Sequence, residues 1–227
     1  ASRYMDVTSY RDGFKYSLHF ERGENKTPGK EGVLKEPYSG RRTGTIQRFL
    51  PDIDVFTDIN IPHEYFADTI KKQAIVNPGL RFTLKIQNES GGFEETEFIY
   101  QNGIVDYVTE LAGLDALTSV RYAKTEKSGR DRDDKPEYRV KVEAAFCLCS
   151  ANPRLEYYHN SSFLEYGGAP DKAARSAFVS AIDGYIKQSG KYQKNESPVK
   201  FQDIQDCLVL VTNCFSTQTS YENQTKK

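Results

Sequence analysis

The chain has 227 residues, a formal net charge of −1, 28% charged residues and 37% apolar ones. That length holds one or two domains with a real hydrophobic core, and the balance describes a globular chain rather than a disordered one. A near-neutral total excludes a nucleic-acid surface spread over the whole molecule, though not a local basic patch, and no apolar run is long enough for a transmembrane helix. No secretory pattern opens the sequence, so a cytoplasmic protein is expected.

The first elements form a hairpin. "RYMDVTSY" is followed by "RDG" and "FKYSLHFERG", in which Phe14, Tyr16, Leu18 and Phe20 alternate with polar residues around Asp12-Gly13. Period-two alternation on either side of such a dipeptide predicts antiparallel strands. Residues 22–43, rich in Gly, Lys, Glu and Pro, read as a loop or lid-like excursion, and "GTIQRFLPD" as a third strand. In "PHEYFADTIKKQAIVNPG", Phe66, Ile70 and Ala74 recur at four-residue spacing before Asn77-Pro78-Gly79, which predicts a helix with its stop. "LRFTLKIQ" and "EETEFIYQN" flank "NESGG" as a second hairpin.

The second part begins near Gly103. "GIVDYVTELAG" puts Ile104, Val108 and Leu111 on one helical face; a strand around Val120 precedes "KTEKSGRDRDDKP", read as a solvated, mobile loop. "EYRVKVEAAFCLCS" is a long strand with Tyr138, Val140, Val142, Ala144, Phe146 and Leu148 on one face, and "RLEYYHNS" is expected to pair with it. The long helix "DKAARSAFVSAIDGYIKQ" directs Ala174, Phe178, Ala181, Ile182 and Tyr185 to a core, with Asp171 placed to cap it. "CLVLV", Cys207 to Val211, suits a central strand covered on both faces. The pattern predicts an α+β protein built of two α/β layers: an antiparallel half, then a mixed sheet with helices on one face.

Catalytic signatures are missing. There is no G-x-S-x-G, no H-E-x-x-H and no Walker-type loop, and the glycine pairs Gly91-Gly92 and Gly167-Gly168 lie outside any phosphate-cradling pattern. Cys147, Cys149, Cys207 and Cys214 lack C-x-x-C spacing and read as buried free thiols in a reducing compartment. His19, His63 and His159 are scattered and suggest no metal site.

Two stretches take the reading further. "RRTGTIQRFLPDIDVFTD" before a helix and "SYENQTKK" at the far end resemble the ATPase region of bacterial type II topoisomerase B subunits, of DNA gyrase or topoisomerase IV. "YRDGFKYSLHFERG", "NPGLRFTLKI", "FIYQNGIVDYV", "EYGG" and "FQDIQDCLVLV" follow in matching order, so the resemblance spans essentially the whole chain. It implies that residues 1–102 are the C-terminal half of a GHKL-type ATPase fold, and 103–227 a ribosomal-protein-like βαβ transducer domain. Together they form two-layer α/β sandwiches. The family's glutamate base, its magnesium-binding asparagine and its glycine-rich lid motifs have no match here. The resemblance therefore implies a chain that does not hydrolyse ATP alone, inside a parent that uses ATP with Mg2+. It also implies DNA, an A-type cleavage subunit and a second copy of the parent as partners.

Residue by residue, the resemblance implies that Thr45 helps hold adenine and that Arg11 stands at the mouth of the nucleotide pocket. It likewise implies that Lys226 meets the γ-phosphate with Gln224 beside it, and that Arg175 lines the DNA cavity between protomers. A hydroxyl suits the first role and a compact ammonium the γ-phosphate. Without the resemblance, Thr45 is a sheet threonine, Arg11 enters a turn, Arg175 is a solvated charge and Lys226 belongs to a lysine-rich end. Many relatives read Gly-Gly-Thr-His where this chain has "GGAP", Gly167 to Pro170, so no role of that Thr-His pair transfers. The rivals are a non-enzymatic dimerisation or DNA-lining module and the transducer of another GHKL ATPase, such as a mismatch-repair protein.

Overall fold

The structure is a computed structural model that describes residues 1–29, 31–130 and 132–218. Contacts divide it into Ala1–Pro62 and His63–Lys227. The 102/103 boundary expected from the sequence falls inside the second unit. The physical reason is a shared core: Ala74, Ile75, Val76 and Tyr100 pack in one cluster with Ile104, Tyr107 and Val108.

The first unit is a sheet. Strands β1 (Ser2–Arg11) and β2 (Phe14–Glu21) form the expected hairpin. Asp12 and Gly13 have φ of 53° and 77°, the positive values a two-residue type I′ turn requires. Residues 22–43 are not a free excursion. They supply β3 (Glu24–Asn25) and β4 (Leu34–Pro37), which both pair with β2. Lys35 lies 3.9 Å from the centre of the Phe14 ring, and Lys15 meets Glu36 at 3.1 Å. β5 (Gly44–Pro51) completes the sheet by pairing antiparallel with β1. Among the described residues no helix belongs to this unit, and Asp52 is its only buried residue. Ile46, Phe49, Ile53, Val55, Phe56 and Ile61 are all exposed. By itself, the unit is a sheet without a covering layer.

The second unit has a true core. It runs α1 (His63–Val76), the isolated hairpin β6 (Phe82–Gln87) and β7 (Phe93–Phe98), α2 (Ile104–Ala112), β8 (Arg121–Gly129) and β9 (Tyr138–Leu148). Then come β10 (Arg154–His159), β11 (Ser162–Phe163), α3 (Gly168–Gln188), α4 (Phe201–Gln205) and β12 (Leu208–Ser216). The main sheet has the order β11-β10-β12-β9-β8. β12 is central as expected, with Leu208, Val209, Leu210 and Val211 all at 0% exposure.

Four expectations differ from the structure. β10 pairs parallel with β12, not with β9, so β10-α3-β12 is a βαβ unit. β8 runs through Gly129 and takes up Lys124 to Ser128, the start of the expected loop; its exposed side chains look like loop residues because β8 is an edge strand. Helices also cover both faces of the sheet. Ala145, Cys147, Val209 and Val211 face α1 and α2, while Ala144, Phe146, Leu208 and Leu210 face α3 and α4. α3 contributes Ala174, Phe178, Val179 and Ile182 to that core; Tyr185 is 61% exposed and Ala181 is exposed too. Cys147, Cys149 and Cys214 are buried free thiols, and Cys207 is half-buried. Among the described residues, no helix is long and apolar enough to cross a membrane.

Candidate functional site

Thr45 and Arg11 come together at one end of the first sheet. In the β1–β5 register Thr45 stands opposite Ser9, and directly opposed residues share a face, as do residues two apart in a strand. Ser9, Arg11 and Thr45 therefore project from the same face. The Thr45 Oγ1 donates to Ser9 Oγ at 3.4 Å, a long bond between exposed hydroxyls. Arg11 pairs with its neighbour Asp12, at 3.0 Å, with its side chain 79% exposed. Such a surface pair is worth about 0–1 kcal/mol and is readily exchanged for another anion.

Arg175 is held elsewhere. Its Nε donates to both carboxylate oxygens of Asp171, at 2.9 and 2.8 Å, and its guanidinium lies 4.5 Å from the centre of the Phe201 ring. Asp171 is thus not the helix cap. The residue before α3 is Gly167, and Asp171 sits in the first turn, where a carboxylate also complements the helix dipole. Gly167 has φ 71°, and a Cβ there would come within 2.6 Å of Asp171 Cβ, so the turn into α3 requires glycine. Gln224 and Lys226 lie outside the described residues.

Two polar clusters escaped the sequence reading. Glu156, 3% exposed, accepts from the Tyr107 hydroxyl, the Tyr158 hydroxyl and Arg154 Nε, each at 3.0 Å. Nothing in "RLEYYH" signals that its glutamate points inward. His19 Nδ1 lies 2.6 Å from Asp6 Oδ1, and its Nε2 3.3 Å from Glu21 Oε1. This cluster did leave a signal: a two-residue turn at Asp12-Gly13 pairs Asp6 with His19 directly.

The sequence profile of the family described as DNA gyrase B matches residues 103–227, more than half of the chain. The chain belongs to the DNA gyrase B family. Among curated relatives, the B subunit of DNA gyrase from Micrococcus luteus is 25% identical over 99% of this chain and 35% of its own length. The B subunit of DNA topoisomerase 4 from Enterococcus faecalis is also 25% identical, over 99% of this chain and 31% of its own length. The chain thus spans about a third of these relatives. The 43K ATPase domain of Thermus thermophilus gyrase B, solved in complex with an aminocoumarin, superposes with a TM-score of 0.69 at 24% identity, covering 97% of this chain and 57% of that one. At that identity the likeness carries the fold alone. The profile match covers α2 through β12.

Proposed function

We propose that this chain forms part of the ATP-operated gate of a type II DNA topoisomerase, within the B-type polypeptide of an enzyme that passes one DNA duplex through another. On this reading residues 1–102 are the C-terminal half of the ATPase domain, and 103–227 the transducer that relays nucleotide state. The parent's partners are DNA, an A-type cleavage subunit and a second copy of itself. The observation that carries the reading is the face shared by Ser9, Arg11 and Thr45, in a chain that aligns end to end with gyrase and topoisomerase IV relatives.

The residues fit a nucleotide in the following way. Paired hydroxyls of Thr45 and Ser9 can exchange their long mutual bond for an adenine edge or a bridging water. Arg11, at the end of β1, can turn from Asp12 toward an anion. When bound, the nucleotide would supply a γ-phosphate whose presence or loss distinguishes two states. Lys226 is assigned to hold that phosphate and Gln224 to orient beside it. For Mg2+ the fit is absent: among the described residues, no group of three His, Cys, Asp or Glu side chains is placed to hold a metal ion.

Thr45→Val removes the hydroxyl and keeps the shape. In the protein that contains these residues, it should weaken a non-hydrolysable ATP analogue about tenfold, the loss of about one hydrogen bond. Unchanged affinity would remove Thr45 from the site.

A further inference from the structure

The geometry points to a second binding site, for a small, uncharged, largely apolar molecule, in the cleft where the carboxyl ends of β10 and β12 meet the first turn of α3. It stands independently of the nucleotide reading. The cleft is open to solvent and offers about 540 Å3, within the range of roughly 300–1,000 Å3 that small-molecule sites occupy. In open α/β sheets ligands favour the carboxyl ends of strands. Here His159 closes β10, and Cys214 and Ser216 belong to the end of its parallel neighbour β12.

The lining decides the chemistry. Val140 and Val142 of β9 and Cys214 of β12 present apolar surface, with Ala169, Pro170 and Ala173 of α3 opposite. Ala169 and Ala173 are four residues apart and share a helix face, and their small side chains leave the space open. Ser216 is already engaged, donating to the Gln218 carbonyl at 2.6 Å. Among the described residues the lining includes no Asp, Glu, Lys or Arg. Burial lowers the His159 pKa below the usual imidazole value, which favours a neutral ring at pH 7. The polar groups of this described lining are Tyr138, His159, Ser216 and Gln218, none of them a fixed charge, which favours an uncharged occupant. Such a wall also gains most from apolar area removed from water.

The test uses N-phenyl-1-naphthylamine, an uncharged fluorophore that brightens in apolar surroundings, beside its sulfonate analogue. The wild-type protein should bind one equivalent of the uncharged probe saturably, and the sulfonate at least about tenfold more weakly. Ala173→Phe, or independently Ala169→Phe, fills the cleft from an exposed helix position and should abolish that binding while far-ultraviolet dichroism stays unchanged. Alkylation of Cys214 in the wild-type protein, mapped by mass spectrometry, should slow when the probe saturates, with half-buried Cys207 unaffected. Phe49→Ser, in the exposed apolar surface of the first unit, should leave the saturable component intact. Binding that survives both filling variants, that disappears in Phe49→Ser, or that favours the sulfonate would overturn the proposal.

Discussion

The buried carboxylate of Glu156 accepts the hydroxyl of Tyr107 at 3.0 Å, across 49 residues of sequence, and so ties α2 to strand β10. A carboxylate at that depth persists only when its lone pairs are met, and Tyr158 and Arg154 supply the remaining donors. Burial, then the adjacent Glu156 charge, raises both tyrosine pKa values well above the usual phenol range, so each remains a donor at any physiological pH.

Tyr107→Phe therefore removes one donor while keeping the ring in its core. It should lower stability by about 1–3 kcal/mol in urea denaturation, because the carboxylate stays buried and under-satisfied. A loss below about 0.5 kcal/mol, the level of a neutral surface change, would mean that Arg154 and Tyr158 suffice.

Leu210→Ala on β12 should cost about 2–5 kcal/mol, since the side chain is wholly buried and the sheet is packed on both faces. Tyr185→Ala on α3 should cost at most about 0.5 kcal/mol, because that ring is exposed. Paired thermal melts check the contrast. Equal losses would return Tyr185 to the core.

That contrast shows what the sequence could reveal. An apolar run such as "CLVLV" identifies a central strand because no exposed strand tolerates four consecutive aliphatic side chains, and the Asp12-Gly13 dipeptide specified its own turn. Partner choice was not legible. "RLEYYH" says nothing about whether it lies parallel to β12 or antiparallel to β9, since that depends on the crossover through α3. The charges of Lys124, Glu126 and Lys127 concealed β8, because an edge strand carries loop-like side chains. At the candidate site, the resemblance singled out Thr45 and Arg11, and the register of β1 and β5 then put them on one face. Arg175 was assigned by the resemblance alone, since a lone arginine on a helix otherwise reads as a solvated charge; the Phe201 ring beside it comes from a distant segment.

His19 makes the first hairpin pH-dependent. Its hydrogen bond to Asp6, then that to Glu21, raises its pKa above the ordinary 6.5. A base whose folded pKa is raised adds stability that is fully present below the unfolded value and is lost as pH rises through the folded one. An NMR titration should place the His19 midpoint above 6.5 in the wild type and lower in Asp6→Asn. Identical midpoints would show that the carboxylate does not hold the ring.

On the proposed function, Lys226 distinguishes a nucleotide with a γ-phosphate from one without. The most direct measurement is calorimetric titration of a non-hydrolysable ATP analogue and of ADP into the protein that contains these residues, wild type and Lys226→Ala. The substitution should weaken the analogue about tenfold or more, the loss of a charge-assisted hydrogen bond, and leave ADP unchanged. Equal weakening of both nucleotides, or of neither, would contradict that role.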